Sequence, residues 1–209
     1  MLAVVLLSAC DVPRADSRTS PSIPDEKTVG QVINDTLTNP AATTLHLDGP
    51  LVTDQDLLLL TNNDQITSIL IDHSVITEKG LMPLTSMANL IQLRIRSRLT
   101  DLAVPSIINM KALKFLNLPQ ADFTDKGILA LSTHPNIQLL RIGGKRLYNT
   151  SLDSIATMSS LTFLHLINVP IDDQGLSALY GAEHLQSLYL DDTDVTDVGL
   201  VKLIEQLPK

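Results

Sequence analysis

The residues that could do chemistry in this chain of 209 residues are few. Cys10 is the single cysteine, which excludes an internal disulfide framework and a cysteine-rich zinc site. Three roles are open to its thiol: a buried side chain, a nucleophile or an attachment point for lipid. No nucleophile elbow, phosphate-binding loop or H-E-x-x-H helix is present in the sequence. We therefore expect a protein that is not an enzyme and that has no cofactor.

The segment before Cys10 is a short apolar run that ends in small residues, which is the order of a secretory signal peptide. Leu7-Ser8-Ala9-Cys10 resembles the lipobox of bacterial lipoproteins. The resemblance implies that residues 1–10 are a lipoprotein signal peptide and that Cys10 carries the lipid. A plain signal peptide and a buried structural stretch are the alternatives. Residues 11–24 hold three prolines, three serines and a threonine, which predicts a flexible tether to a membrane.

The bulk composition limits the partners and the core. A formal net charge of −8 argues against a general nucleic-acid binder, because phosphate binding depends on clustered Lys and Arg. Aromatic residues make up only 3% of the chain, so the core must be aliphatic, which suits layered repeats. Residues 25–42 are predicted to form an N-terminal capping helix, because apolar side chains recur at helical spacing behind an acidic start, at Val29, Val32, Ile33 and Leu37.

The remaining residues, 43–209, repeat one pattern seven times. Each copy begins with two apolar residues separated by one position, and the second of them falls at Leu47, Ile71, Ile95, Leu118, Ile142, Leu166 and Leu190. The steps between these positions are 24, 24, 23, 24, 24 and 24 residues. The alternation predicts a short strand with one face inward, and the constant period predicts a solenoid of stacked coils.

Two further positions recur after each strand. An acid or amide lies where a following helix needs an N-cap acceptor, at Asp54, Glu78, Asp101, Asp125, Asn149, Asp173 and Asp197. A glycine precedes the apolar positions of the helix in four copies, at Gly80, Gly127, Gly175 and Gly199. We expect that a side chain at these glycines would crowd the neighbouring coil.

The pattern L-x-x-L-x-L-x-x-x-x-[IV]-T-D-x-G-L-x-x-L resembles the leucine-rich repeat family, and more closely its ribonuclease-inhibitor-like or cysteine-containing branch. The resemblance implies an α/β fold: a horseshoe-shaped leucine-rich repeat solenoid with a concave parallel sheet, convex helices and about seven repeats of 24 residues. The family's Asn or Cys after the strand is replaced here by Pro50, Ser74, Ala121, Lys145, Val169 and Thr193. No continuous asparagine ladder can therefore satisfy the buried backbone.

The strand residues that face outward in such a solenoid form an extended binding surface. Basic residues of copies three to five stand there beside an apolar strip of Phe115, Leu139 and Phe163. Either the bases cluster by chance, or the patch contacts an acidic and partly apolar protein or peptide through bidentate Arg–carboxylate pairs. The residues expected to contact such a partner are Arg94, Arg96, Arg141, Phe115, Leu139, Phe163, His165 and Tyr189.

Metal binding is not expected. His46 and His165 lie in one column but five strands apart, about 24 Å at ~4.8 Å per strand, so they cannot share a metal ion. The acidic run 191–197 could bind calcium, but helix capping and protection of the last strand from edge-to-edge pairing explain its acids more simply.

The sequence thus predicts a non-catalytic protein-binding module: a membrane-anchored lipoprotein of the cell envelope, periplasmic or surface-exposed, that holds a protein or peptide on its concave face. One alternative is a structural envelope component that self-associates through its C-terminal edge, since no separate polar cap follows the last repeat. Another is a cytosolic substrate adaptor similar to F-box proteins that carry the same repeat branch. Acylation of Cys10 distinguishes the envelope interpretations from the cytosolic one.

Overall fold

The computed structural model describes residues 27–206 as a solenoid built on one seven-stranded parallel sheet, with the strands in chain order. The predicted signal peptide with Cys10 and the predicted tether 11–24 lie outside the described residues. The strands are β1 Thr44–Leu47, β2 Ser68–Ile71, β3 Gln92–Ile95, β4 Phe115–Leu118, β5 Leu139–Gly143, β6 Phe163–Ile167 and β7 Ser187–Asp191. Equivalent positions of successive copies pair with each other, so each repeat forms one coil.

Helical segments connect the strands on the opposite side of the solenoid. The α-helices are α1 Val29–Thr38, α2 Val104–Asn109, α3 Asp125–Leu131, α4 Asn149–Ala156, α5 Asp173–Leu176 and α6 Asp197–Gln206. In the first two coils a short 3₁₀ segment replaces the expected α-helix, at Asp56–Leu60 and Pro83–Ser86. In the second coil, Pro83 has no N–H to donate within a longer helix.

Helix α1 closes the N-terminal end of the core. It begins after Thr28, whose side chain accepts a bond from the Gln31 N–H, while the Gln31 side chain accepts one from the Thr28 N–H. The start is therefore a capping box rather than the acidic turn expected from the sequence. Val29 and Ile33 are buried on the first coil, and Leu45 of β1 is fully buried beneath them.

In five coils the acid or amide that follows the strand accepts hydrogen bonds from the next coil. Asp101 accepts bonds from the N–H of Thr124, at 2.8 Å, and from its hydroxyl, at 2.6 Å. Thr124 itself caps α3 through the Lys126 N–H. The expected N-cap role is thus wrong at Asp101, because its carboxylate is turned toward the following repeat. We call the inter-coil acceptors the acid ladder; they are Asp54, Asp101, Asp125, Asn149 and Asp173.

Glycine makes room for this ladder. A Cβ atom at Gly127 would overlap the Asp101 carboxylate, and the same overlap recurs between Gly199 and Asp173. Gly80 and Gly175 meet the ladder side chains of their preceding coils in the same way. The predicted crowding at these glycines is confirmed, and its physical cause is a hydrogen-bond acceptor of the preceding coil.

Backbone pairing takes over from the missing asparagine ladder. Isolated parallel bridges join successive coils just after the strands, as between Val52 and Ser74. The third coil is one residue shorter there, and it turns the buried Ser97 hydroxyl toward the Ile76 N–H, at 2.9 Å. The hydroxyl of Ser74 lies 2.7 Å from that of Ser97. Backbone bridges and side-chain hydroxyls that differ from coil to coil therefore satisfy the hydrogen-bonding groups of the buried backbone.

His134 is a buried histidine whose neutral form is bound by backbone groups. The residue is 2% exposed. Its Nε2 lies 3.1 Å from the Met110 carbonyl oxygen, and its Nδ1 accepts a hydrogen bond from the Asn136 N–H at 3.2 Å. Burial lowers the pKa of His134 below its usual 6.5, an effect only partly opposed by the Met110 carbonyl. The neutral tautomer with hydrogen on Nε2 satisfies both contacts.

We expect the free energy of unfolding to fall as the pH drops below 6.5. The folded pKa of His134 is depressed, so its contribution is complete above the unfolded pKa and is lost as the pH falls through the folded one. Urea unfolding of the chain and of His134→Gln between pH 7.5 and 5 checks this. A wild-type slope that persists unchanged in His134→Gln would assign the pH dependence to other groups.

Candidate functional site

The outward-facing strand residues form columns across the sheet. Phe115 pairs with Leu139 and Leu139 pairs with Phe163, so the apolar strip is continuous over β4, β5 and β6. The neighbouring column places Arg141 between two polar partners on the flanking strands, Asn117 and His165. The other predicted contact residues lie on the same face at Arg94, Arg96 and Tyr189. The structure thus brings these residues onto one surface.

A carboxylate of the second coil engages the first part of the basic patch. One carboxylate oxygen of Asp72 lies 2.5 Å from the Arg94 guanidinium and 2.9 Å from His46 Nε2. The other oxygen of Asp72 lies 3.0 Å from Arg96 Nε, which is an ion-pair distance but not a hydrogen bond. Burial would raise the pKa of Asp72, but the His46 bond and the two guanidinium groups outweigh it and hold the pKa below its usual value. Arg94 and Arg96 therefore share one carboxylate counterion within the protein.

A second carboxylate does the same for two bases on the loops. Asp122 lies 2.9 Å from Arg98 and 3.3 Å from Arg146. The hydrogen bond from Arg98 is the main cause of the lowered pKa of Asp122, with Arg146 adding to it against a smaller effect of burial. Arg98 and Arg146 belong to copies three and five, where the predicted basic patch lies. The repeat pattern does not predict that both would share one acid of the intervening coil.

Arg141 differs from these bases. Within residues 27–206, no carboxylate lies within ion-pair distance of its guanidinium. Its Nε, like that of Arg94, is buried without a hydrogen-bond partner. The amide oxygen of Asn117, on the adjacent strand, is buried and unpartnered as well. Arg141 thus presents an uncompensated cation in the middle of the sheet, next to Leu139 of the apolar strip.

Aromatic side chains extend the strip toward the last coil. The rings of Phe163 and Tyr189 stack with their centroids 5.0 Å apart, and His165 lies 5.5 Å from Tyr189. His165 Nε2 contacts Asp191 at 2.7 Å. Tyr189 is 51% exposed. These contacts hold an aromatic surface facing solvent, which is a common feature of protein interfaces.

A cleft borders this surface at the ends of β4, β5 and β6. It encloses about 580 Å³ and is lined by Pro119, Ile167 and Lys145 among others. Gly143 and Gly144 shape it: a Cβ at Gly143 would overlap the Pro119 carbonyl, and Gly144 has a φ of +141°. Sequence reasoning missed the cleft, although the Gly-Gly pair after β5 was a signal for it.

The histidines of the sheet do not form a catalytic group. His46 contacts Asp72 and His165 contacts Asp191, on strands at opposite ends of the sheet. Neither imidazole is hydrogen-bonded to a hydroxyl or thiol among residues 27–206. In the same part of the chain, no group of three or more His, Cys, Asp or Glu side chains is placed to hold a metal ion.

Comparison with known proteins bears on the fold. A family model described as leucine-rich repeat matches residues 181–203, the last coil. No curated protein sequence matches the chain. Internalin C2 from Listeria monocytogenes has a similar structure, with a TM-score of 0.58 and 19% identity over 84% of this chain and 88% of that one.

A second internalin from the same organism, InlF, gives a TM-score of 0.53 and 18% identity over 72% of this chain and 49% of its own length. Together with the parallel sheet and the stacked coils, the two structural likenesses confirm the predicted α/β leucine-rich repeat solenoid.

Among residues 27–206, none of the helices has the length and apolar character needed to span a bilayer.

Replacing Asp72 by Asn tests the internal ion pairs. We expect roughly 0.5–1 kcal/mol less stability at neutral pH, because Arg94 and Arg96 lose their shared counterion. The pKa of Asp72 is lowered, so its contribution is present above about pH 3.8 and is lost as the pH falls further. Urea unfolding at pH 7 and pH 3 measures the difference.

Asp48→Asn is the matched control, because Asp48 is exposed and makes no ion pair within the described chain. Equal effects of the two substitutions would show that net charge, rather than the pairing at Asp72, sets the result.

Proposed function

We propose that the chain is a non-catalytic binding module that holds a protein or peptide partner on the concave face of its sheet. The observation that carries this proposal is the unpaired Arg141 guanidinium beside the solvent-facing strip of Phe115, Leu139 and Phe163. The partner has an extended segment that is partly apolar and carries a carboxylate.

The apolar strip supports an interface because it has no structural task in the core. The core is formed by the opposite, inward-facing residues of the same strands, such as Leu116, Leu140 and Leu164, which are fully buried. Phe115, Leu139 and Phe163 are only partly buried, on the solvent-facing side of the sheet. Covering apolar surface of this kind contributes about 25 cal/mol per Å² that is removed from water.

Arg141 supports the choice of an acidic partner. Its neighbours Arg94 and Arg96 already bind Asp72, whereas Arg141 has no carboxylate among the described residues. A partner carboxylate placed here would gain a charge-assisted, bidentate contact in a partly desolvated site. Lys145, at the rim of the adjacent cleft, is a second exposed cation without an ion pair between residues 27 and 206.

The proposed location is the cell envelope. In this proposal Cys10 carries a lipid anchor and residues 11–24 tether the solenoid to the membrane, periplasmic or surface-exposed. The support is the lipobox-like Leu7-Ser8-Ala9-Cys10 and the polar, proline-containing segment that follows it. A self-associating envelope component and a cytosolic adaptor remain the competing proposals.

A photo-reactive amino acid placed at Phe163 tests the concave face. In cells that produce the protein, we expect one discrete crosslinked adduct from this position and none from Leu129, a 61% exposed residue of α3 on the other side of the solenoid. Arg141→Glu in the same chain should reduce the adduct about tenfold, because a repelled carboxylate costs at least 1.4 kcal/mol.

Arg141→Lys keeps the charge and should retain part of the adduct, and thermal unfolding of each variant shows whether it is folded. Equal crosslinking from Phe163 and Leu129, or an adduct indifferent to Arg141→Glu in a folded variant, would contradict the proposed concave site.

Expression in a bacterium tests the anchor independently. We expect the wild-type chain to be cleaved before Cys10, to gain the mass of lipid and to partition into detergent, whereas Cys10→Ser does none of these. Intact mass and detergent partitioning measure the outcome. If both proteins remain uncleaved and soluble, the envelope location is wrong and partners belong in the cytosol.

A further inference from the structure

The last coil of the solenoid has an incompletely covered core. In the sixth coil, Leu164, Leu166 and Ile171 are no more than 1% exposed. The equivalent residues of the seventh coil are only partly buried; they are Leu188, Leu190 and Val195. The side of the core that a following coil would cover is therefore open to water within the described chain.

Helix α6 leaves more apolar surface beside this opening. Val201 is 54% exposed and Ile204 is 70% exposed, although both belong to a helix whose Leu203 packs into the core. The N-terminal end of the solenoid differs, because α1 covers it and keeps Leu45 and Val52 fully buried. Among residues 27–206, α1 covers the first coil, and no described segment covers the last one.

The hydrogen bonds at this end are also open on one side. Strand β7 pairs with β6 and with no further strand among residues 27–206. Its Asp191 carbonyl accepts the Asn168 N–H of the preceding coil, and N–H and C=O groups alternate between the two sides of a strand. The backbone groups of Leu188 and Leu190 consequently point away from β6, toward the free edge.

The last position of the acid-ladder series lies at this edge, and its carboxylate accepts no hydrogen bond from residues 27–206. Asp173 binds the N–H and the hydroxyl of Thr196 in the last coil, at 2.8 and 2.7 Å. Asp197 is the next position of the same series. Its carboxylate has no hydrogen-bond or ion-pair partner among the described residues, and it is exposed.

Carboxylates without basic partners border the open strand. Asp192 and Asp194 follow β7 directly, are exposed and make no ion pair between residues 27 and 206. Together with Asp197 they give the edge a negative charge next to apolar side chains. A strand that carries Lys or Arg would meet opposite charge here, and opposite charges on neighbouring strands stabilise their pairing.

We propose that this C-terminal edge binds an extended segment of another protein, which adds to β7 as an eighth strand and alternates aliphatic with basic residues. Its aliphatic side chains cover Leu188, Leu190 and Val195, its backbone pairs with β7, and its basic side chains meet Asp192, Asp194 and Asp197. This site is separate from Arg141 and the apolar strip, so it can fail or hold independently of the concave site.

A second copy of the chain fits the edge less well. A two-fold axis would pair β7 antiparallel with the same strand of the other copy, so that Asp192 and Asp194 lie opposite residues 184–186. Residues 184–191 contain no Lys or Arg, so the other copy offers no basic side chain to these acids. Head-to-tail stacking would meet α1, which already covers the N-terminal coil. The charges at the edge therefore favour a basic segment over self-association.

Hydrogen exchange with a synthetic peptide tests the proposal. The probe is a peptide of about ten residues that alternates leucine with lysine, and its counterpart replaces each lysine by glutamate. With the lysine peptide we expect the amides of Leu188 and Leu190 to gain protection while those of β1 are unchanged. The glutamate peptide should give no protection.

The matched charge variants are Asp192→Asn with Asp194→Asn at the edge and Asp48→Asn with Asp153→Asn elsewhere, since both pairs change the net charge by two. We expect the edge pair to weaken binding of the lysine peptide about tenfold at low salt, and the control pair to leave it within about twofold. Unfolding curves of both variants establish that they are folded.

Three results would overturn the proposal. They are equal weakening by both pairs of substitutions, absence of protection at Leu188 and Leu190, and a concentration-dependent dimer without peptide that Asp192→Asn with Asp194→Asn strengthens. The last result, measured by light scattering, would assign the edge to a second copy of the chain.

Discussion

At five of the six junctions between successive coils of this solenoid, a side-chain acceptor reaches across to the following coil. Sheet pairing joins the coils on one side only, and the aliphatic core is non-directional, so neither fixes the helical side. The acid ladder supplies the missing constraint: at Asp101, one carboxylate receives both the N–H and the hydroxyl of Thr124. Glycine in the following helix leaves room for this contact at four junctions, because a Cβ atom there would overlap the acceptor. Beside Asp125 the same position is Ser151, whose hydroxyl donates to the carboxylate instead.

The surface depends on the same register. Because every copy stacks directly on its neighbour, Phe115, Leu139 and Phe163 form a continuous strip, and Asp72 comes within reach of Arg94 and Arg96. Among residues 27–206, two carboxylates pair with Arg94, Arg96, Arg98 and Arg146, whereas Arg141, beside the apolar strip, and Lys145 have no carboxylate partner. The proposed function rests on this contrast between paired and unpaired cations. On β7, the last strand among residues 27–206, the contacts that join two coils are made on one side only.

The period, the strands and the outward-facing columns could be predicted from the sequence, because a strand alternates its faces and a solenoid repeats its environment. The role of Asp101 could not, since an acid at the start of a helix has the same sequence signature whether it caps that helix or binds the next coil. The pairing of Asp122 with Arg98 and Arg146 required side-chain positions from three coils. The cleft beside Gly143 depends on loop conformations that a repeat pattern does not specify.

The most direct test of this account is a double-mutant cycle on Gly127→Ala and Asp101→Ala, with the free energy of unfolding as the readout. The account predicts that Gly127→Ala destabilises the wild-type protein, because the new methyl group displaces the Asp101 carboxylate from Thr124. In the Asp101→Ala background the same change should be neutral or stabilising, since alanine is favoured over glycine in a helix by about 1 kcal/mol. An equal loss of stability in both backgrounds would contradict the account, because the glycine would then be required for a reason other than the acid ladder.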